Sequence, residues 1–291
     1  MSHRHLVGEE LRFAYERGVN VLCGASLDVQ PGSRVALLGG NGSGKSTLLQ
    51  CLAGTLTPQG GEITLDAQRV ERSKRGLRAH RQAVQLVFQD PDDQLFSADV
   101  AEDVAYGPVN LGLPATEVRE RVDQALRLLG IEELRSRPTH QLSFGQRKRV
   151  AIAGAVAMRP CVLLLDEPTA GIDPAGIEAL FSTLGGLERA GTTVTLSTHD
   201  TALALEWADS VAVMADGATR QGEPSIIFGD AALLEAAQLR APWVVTLTRE
   251  LIADGLLPPT AKPTTAPQLR VALNSAAALT PPTLPSSIRM A

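Results

Sequence analysis

Short uninterrupted apolar runs alternate along the chain with stretches whose apolar positions return every three or four residues. Val35-Ala36-Leu37-Leu38 is one such run, closed by glycines, and Val162-Leu163-Leu164-Leu165 is another, closed by Asp166. Val194-Thr195-Leu196-Ser197 is a third. Runs of this length predict central parallel strands covered on both faces. Leu11, Phe13 and Tyr15 alternate instead, as on a strand with one buried face. Between Phe88 and Pro160 the texture changes. Val118, Val122, Ala125, Leu126 and Leu129 mark a helix face stopped by Gly130, and Ser143 opens a helix expected to reach about Met158. The pattern predicts an α/β fold, with a helical insert over about 89–159 between core halves at about 1–88 and 160–222.

Beyond Gly222 the periodicity loosens. From Leu257 to Ala291 there are seven prolines, and Lys262, Arg270 and Arg289 are the only charges. That composition predicts a segment with little core of its own, so 223–291 is set apart as a C-terminal extension. The chain's 291 residues, 44% of them hydrophobic, are ample for a buried core. Its 27 basic and 32 acidic side chains leave a net charge of −5, which argues against a surface built to grip nucleic acid. No stretch approaches the roughly 18 to 20 apolar residues of a membrane span. The opening Met1-Ser2-His3-Arg4-His5 lacks a secretory leader's apolar core, and Cys23, Cys51 and Cys161 form neither a disulfide framework nor a zinc set. A reducing cytosol is the expected compartment. His3 and His5, with no third ligand nearby, read as a mobile terminus rather than a metal site.

Gly39-Gly40-Asn41-Gly42-Ser43-Gly44-Lys45-Ser46 matches G-x-x-x-x-G-K-[ST] between an apolar strand and a helix expected over Ser46–Ala53, with Thr47 next in line. Such glycines let successive N–H groups line a phosphate-sized hollow, and the helix N-terminus adds partial positive charge. Lys45 is expected to reach the β- and γ-phosphates of a nucleotide, and the Ser46 hydroxyl to ligate Mg²⁺. Asp166 and Glu167 stand at the carboxyl end of a buried strand, where open α/β sheets bind ligands. Asp166 is the candidate Mg²⁺ holder and Glu167 the candidate activator of water. His199 ends the following strand, within reach of a γ-phosphate. Gln89 ends the strand before the insert, where an amide can ligate Mg²⁺ or position water. Leu142-Ser143-Phe144-Gly145-Gln146 opens a serine-capped helix that offers N–H donors to an anion. Arg147, Lys148 and Arg149 follow in its first turn, where the dipole disfavours cations; a solvated basic turn and a helix end waiting for phosphate both fit.

P-loop, glutamine, L-S-x-G-Q, apolar-run-D-E and histidine, in that order over Gly39–His199, resemble the nucleotide-binding subunit of an ABC transporter. The resemblance covers roughly residues 9 to 222. It implies a P-loop NTPase (RecA-like) ABC nucleotide-binding domain over 1–222, with an antiparallel β edge and a helical subdomain. It also implies ATP hydrolysis with Mg²⁺ in a head-to-tail dimer, each ATP lying between one subunit's P-loop and the other's Ser143, Gly145 and Gln146. By the same resemblance Tyr15 stacks on adenine, although Phe13 shares its strand face, and Asp173 lies in a loop that communicates between the two sites. Phe144 stands where the common signature has glycine, a departure that touches local packing.

Val87-Phe88-Gln89-Asp90-Pro91-Asp92-Asp93-Gln94-Leu95-Phe96, with Glu102-Asp103-Val104-Ala105-Tyr106-Gly107-Pro108, is similar to the ATPases of energy-coupling-factor importers, most closely the CbiO-like cobalt and nickel subunits. The region after Glu223 is similar to that family's extension, which contributes to dimer contacts. The implied setting is peripheral, on the cytoplasmic face of the cell (inner) membrane. The implied partners are a transmembrane coupling protein and a substrate-binding membrane protein, reached through the segment Asp90–Gly107. A homodimer without nucleic acid is favoured, because every motif is present in this one chain. Nickel or a vitamin as cargo, a heterodimer with a related ATPase, a nucleic-acid ATPase and a non-hydrolysing regulator stay open at this point.

Overall fold

A computed structural model describes residues 3–15 and 18–279 of the chain. The strands are β1 (Leu6–Ala14), β2 (Asn20–Val29), β3 (Val35–Leu38), β4 (Gly60–Leu65), β5 (Gln68–Arg69), β6 (Val84–Val87), β7 (Val162–Leu165), β8 (Thr193–Thr198), β9 (Ser210–Ala215) and β10 (Ala218–Gly222). The helices are α1 (Lys45–Leu52), α2 (Lys74–Ala83), α3 (Val100–Asn110), α4 (Ala115–Leu128), α5 (Phe144–Ala157), α6 (Pro174–Arg189), α7 (Thr201–Trp207), α8 (Pro224–Ile227), α9 (Ala231–Ala236), α10 (Trp243–Ala253) and α11 (Ala266–Leu279).

Six strands form a sheet in the order β10-β9-β3-β8-β7-β6. All neighbours pair in parallel except β10, an antiparallel edge strand on β9. The uninterrupted apolar runs have a direct cause. Along β3, Ala36 and Leu38 enter one core while Val35 and Leu37 enter the other; β7 divides in the same way, with Leu163 and Leu165 opposed to Val162 and Leu164. With both faces covered, no position in these strands is left for a polar residue.

The antiparallel part of the domain is a sheet of its own, in the order β2-β1-β4-β5. The half-buried alternation of its strands suits a surface layer rather than a central one. Leu6, Leu11, Phe13 and Leu27 pack with Leu48, Leu49 and Leu52 of α1, which carries the P-loop.

From 89 to 159 the chain is helical. The Val122, Ala125 and Leu126 stripe of α4 is buried, and α5 is buried nearly all round from Val150 to Ala157.

Residues 223–279 pack on the rest of the chain. Leu234, Ala237 and Val244 join the main core, and Leu257 and Leu269 are also buried. The prolines interrupt nothing here. Pro224 opens α8, Pro242 precedes α10 and Pro267 is the second residue of α11, all places where no helical N–H is needed. The last dozen residues of the chain, 280–291, lie outside the described residues.

His3 and His5 are not loose. His3 Nδ1 lies 3.2 Å from Thr193 Oγ1, and His5 Nε2 lies 2.6 Å from Asp28 Oδ1. Cys51 is buried and Cys23 exposed, and all three thiols are free.

Candidate functional site

Parallel strands with crossover helices deliver the residues after each strand to one edge of the sheet. Since β3, β8, β7 and β6 are consecutive neighbours, that edge carries, side by side, the P-loop, His199, the Asp166–Glu167 pair and Gln89. Register holds them level: Leu38 pairs with Thr198, Leu165 with Leu196, and Val87 with Leu165.

The P-loop runs from Gly39 into α1. Gly44 caps that helix at φ +106°, and a Cβ there would stand 3.1 Å from the Val21 carbonyl oxygen and 3.2 Å from Met214 Sδ. Only glycine meets both demands. Lys45 is buried; its ammonium donates to the Gly39 carbonyl at 2.8 Å and the Gly40 carbonyl at 3.2 Å. It also stands 3.6 Å from Glu167 Oε1. Ser43 Oγ is buried without a hydrogen-bond partner, a polar atom left over inside the loop. Tyr15 and Phe13 take opposite roles. Phe13 is core, whereas Tyr15 is 48% exposed, packs edge-on against Phe13 and meets Thr47 Oγ1 through its hydroxyl at 3.2 Å.

Asp166 and Glu167 are both buried. The Ser197 hydroxyl donates to Asp166 Oδ1 at 2.5 Å and accepts from the Glu167 N–H at 2.9 Å. Glu167 Oε2 meets His199 Nδ1 at 3.1 Å, and the imidazole, 67% exposed, faces outward beyond it. The Glu167 carboxylate is thus aimed between a histidine and the P-loop lysine. Ser197 has no signal in the sequence except its place at the end of β8. Its function depends on β8 lying beside β7.

The Ser143 end of α5 closes a capping box. Ser143 Oγ accepts from the Gln146 N–H, and Gln146 Oε1 accepts from the Ser143 N–H at 3.0 Å. Ser143 remains exposed, and the space where a Gly145 Cβ would stand is open. Phe144 packs its ring on Gly171, which adopts φ +72° and has no room for a side chain, since a Cβ would come 2.8 Å from the ring. Asp173 caps α6 by accepting from the Gly176 N–H at 2.8 Å. Ser143, Gly145 and Asp173 border one open cleft of about 490 Å³, none of whose walls comes from residues 39–47, 166–167 or 199. The Ser143 cleft is therefore separate from the sheet edge that carries the P-loop, the acidic pair and His199. The solvated reading of the Arg147–Arg149 turn fails at Lys148, which is fully buried and bonded to the Glu167 and Ala170 carbonyls. Gln89 is exposed beside the acidic pair, and Arg147 pairs with Asp92 at 2.8 Å.

The family model described as ABC transporter matches residues 22–170. The chain is 51% identical over 243 residues to the cobalt import ATP-binding protein CbiO of Rhodobacter capsulatus, covering 83% of this chain and 87% of that protein. The chain belongs to the ABC transporter family. This ABC ATPase is also 46% identical over 240 residues to the energy-coupling factor transporter ATP-binding protein EcfA of Methanocaldococcus jannaschii, covering 82% and 86% of the two chains. Its structure resembles the solved cbiO1 of Clostridium perfringens, described as part of the ABC transporter complex cbiONQ. The TM-score is 0.70 at 44% identity, over 84% of this chain and 98% of that one. The protein is an ATP-binding, ATP-hydrolysing subunit of the energy-coupling-factor and CbiO type. Among the described residues, no helix is long and apolar enough to cross a membrane.

Proposed function

We propose that the protein powers cobalt import, as a homodimer that closes over two ATP molecules on the cytoplasmic face of the cell membrane. Its partners in this reading are a transmembrane coupling protein and a substrate-binding membrane protein. Residues 1–222 form the ATP-binding domain and 223–291 an extension that adds dimer contacts. The observation that carries the ATPase arrangement is the separation of the Ser143 cleft from the sheet edge that carries the P-loop, because a second copy placed head to tail brings Ser143, Gly145 and Gln146 to the P-loop of the first. The choice of cobalt rests on the 51% identity to a cobalt import protein.

In this reading Gly39, Gly40, Asn41, Gly42, Ser43, Gly44 and Thr47 line the phosphate hollow and Tyr15 faces the adenine. Lys45 turns its ammonium to the β- and γ-phosphates. The residues also fit Mg²⁺. Ser46, Gln89 and Asp166 offer hard oxygen atoms, with Asp166 oriented by Ser197. No cluster of three His, Cys, Asp or Glu residues able to hold a metal occurs among the described residues. That suits a cation which takes part of its shell from phosphate and water. When bound, it neutralises charge on the phosphates. Glu167 orients and activates the attacking water, and His199 supports the γ-phosphate edge. Asp173 carries contact between the two sites. This is catalysis by positioning and electrostatics. ATP drives closure because it binds the closed dimer more tightly than the open one.

The segment Asp90–Gly107 passes this motion to the membrane. Asp92 ties it to the signature helix through Arg147, while Phe96 and Tyr106 stack edge-on at 4.5 Å and are both exposed. Replacing Asp92 and Asp93 with alanine is expected to abolish most ATP-driven uptake while basal hydrolysis stays within about twofold, since exposed pairs hold under ~1 kcal/mol. Equal loss of hydrolysis would make the segment structural. The cargo is tested by co-purification from native membranes and a Co²⁺ uptake assay with Lys45→Ala as control. ATP-dependent Co²⁺ uptake supports the reading. Nickel or vitamin uptake keeps the machine and discards cobalt, and recovery of ribosomes or DNA instead of membrane proteins overturns the importer.

A further inference from the structure

One turn beyond the Ser143 cap, α5 carries Lys148, whose side chain is among the largest of the fully buried ones. A buried ammonium is costly unless its donors are met. Nζ donates to the Glu167 carbonyl at 2.6 Å and the Ala170 carbonyl at 3.2 Å. The Phe144 ring lies 5.5 Å from it, within cation–π range. Burial pulls the ammonium down to about 8, and the attraction of Glu167, Asp166 and Asp90 works against that fall.

The carbonyl it grips belongs to the residue whose carboxylate faces Lys45 and His199. Glu167 adopts φ +43°, a left-handed conformation that is strained for a non-glycine residue and kept only where the surroundings over-determine it. The clamps are visible. Ser197 Oγ holds the Glu167 N–H, while Lys148 Nζ and the Ala170 N–H hold its carbonyl oxygen. Packing alone does not account for a charge here, because a methionine would fill the same space without the desolvation cost.

We propose that Lys148 is a positioning residue for ATP hydrolysis: it locks the Glu167 peptide in its left-handed turn and ties that peptide to the helix bearing Ser143. The proposal rests on the role given above to Glu167 and on the head-to-tail dimer. In that dimer α5 presents Ser143 to the partner's nucleotide while Lys148 holds the residue that serves the chain's own. One rigid connection then spans both half-sites.

The test uses the full chain, with ATP affinity by calorimetry and single-turnover hydrolysis at saturating ATP. Lys148→Met, which keeps the volume and removes the donors, is expected to lower the hydrolysis rate about 10- to 100-fold, in line with misplacement of a catalytic group. ATP affinity should stay within about threefold. Lys148→Gln, which keeps an N–H donor, recovers part of the rate. In a Glu167→Gln background, Lys148→Met costs little more, since the group it positions has already been disabled. A hydrolysis rate within twofold of wild type for Lys148→Met overturns the proposal. So does the same fractional loss in both backgrounds. If Lys148→Met does not fold, as judged by its melting curve, Lys148→Leu, which also lacks a donor, takes its place in the cycle with the same criteria. Near wild-type turnover by Glu167→Gln alone removes the underlying reading instead, and is told apart by the variant that shows it.

Discussion

Glu167→Gln lowers the maximal rate of ATP hydrolysis by roughly 10²- to 10⁴-fold, the range for loss of a positioned general base, and leaves ATP binding intact. The substitution is nearly isosteric. The Glu167 N–H bond to Ser197 and the carbonyl bond to Lys148 involve only the backbone and survive it. What changes is the acceptor between His199 and Lys45, where an amide cannot take a proton from water. Because binding outlasts hydrolysis, the variant should also accumulate as a closed dimer in the presence of Mg·ATP. Steady-state phosphate release measures the first effect and size-exclusion chromatography with light scattering the second. Turnover near the wild-type rate would strip Glu167 of its role.

Lys45→Ala is expected to abolish measurable ATP binding. A charge-assisted hydrogen bond is worth about 1.5–3 kcal/mol, and in the proposed reading Lys45 makes such bonds to the β- and γ-phosphates. The loss extends to the site itself. Removing the ammonium takes the donor from the Gly39 and Gly40 carbonyls, and takes from the buried Glu167 carboxylate one of the two cationic partners it has among the described residues. Lys45→Arg should not restore binding, because the side chain is buried and a planar guanidinium does not reproduce the compact point charge of the ammonium. Calorimetry with ATP checks both variants, and affinity within threefold of wild type in Lys45→Ala would remove the P-loop assignment.

Features that depend on residues near one another in the chain were readable in advance. Val35–Leu38 and Val162–Leu165 announce buried strands, Ser143 with Gln146 announces a capped helix, and Gly39–Ser46 announces a phosphate loop. Each follows from backbone geometry within about ten residues. Where composition stood in for geometry it said less. From Leu257 on, composition pointed to a segment with little core of its own; it did not reveal that Leu257 and Leu269 are buried, or that Pro267 falls in the first turn of α11, where no helical N–H is needed. The extension's contact with the site was equally out of view: the Gly40 N–H of the P-loop donates to the Ala237 carbonyl.

The sequence alone determined the chemistry on offer: a P-loop lysine, an acidic pair, a histidine, a glutamine and a serine-capped helix. Strand order decided what these could do together. The β3-β8-β7-β6 arrangement turns a chain order of P-loop, Gln89, Glu167 and His199 into a spatial order in which His199 and Glu167 touch and Lys45 stands 3.6 Å from the Glu167 carboxylate. Tertiary packing also set Ser143 apart in its own cleft, pressed Ser197 against the acidic pair and buried Lys148 beneath Glu167. The reason is physical. Periodicity and caps are local and leave their mark on neighbouring letters, but a buried donor finds its acceptor across some 20 to 30 residues or more, through a fold that no local pattern encodes.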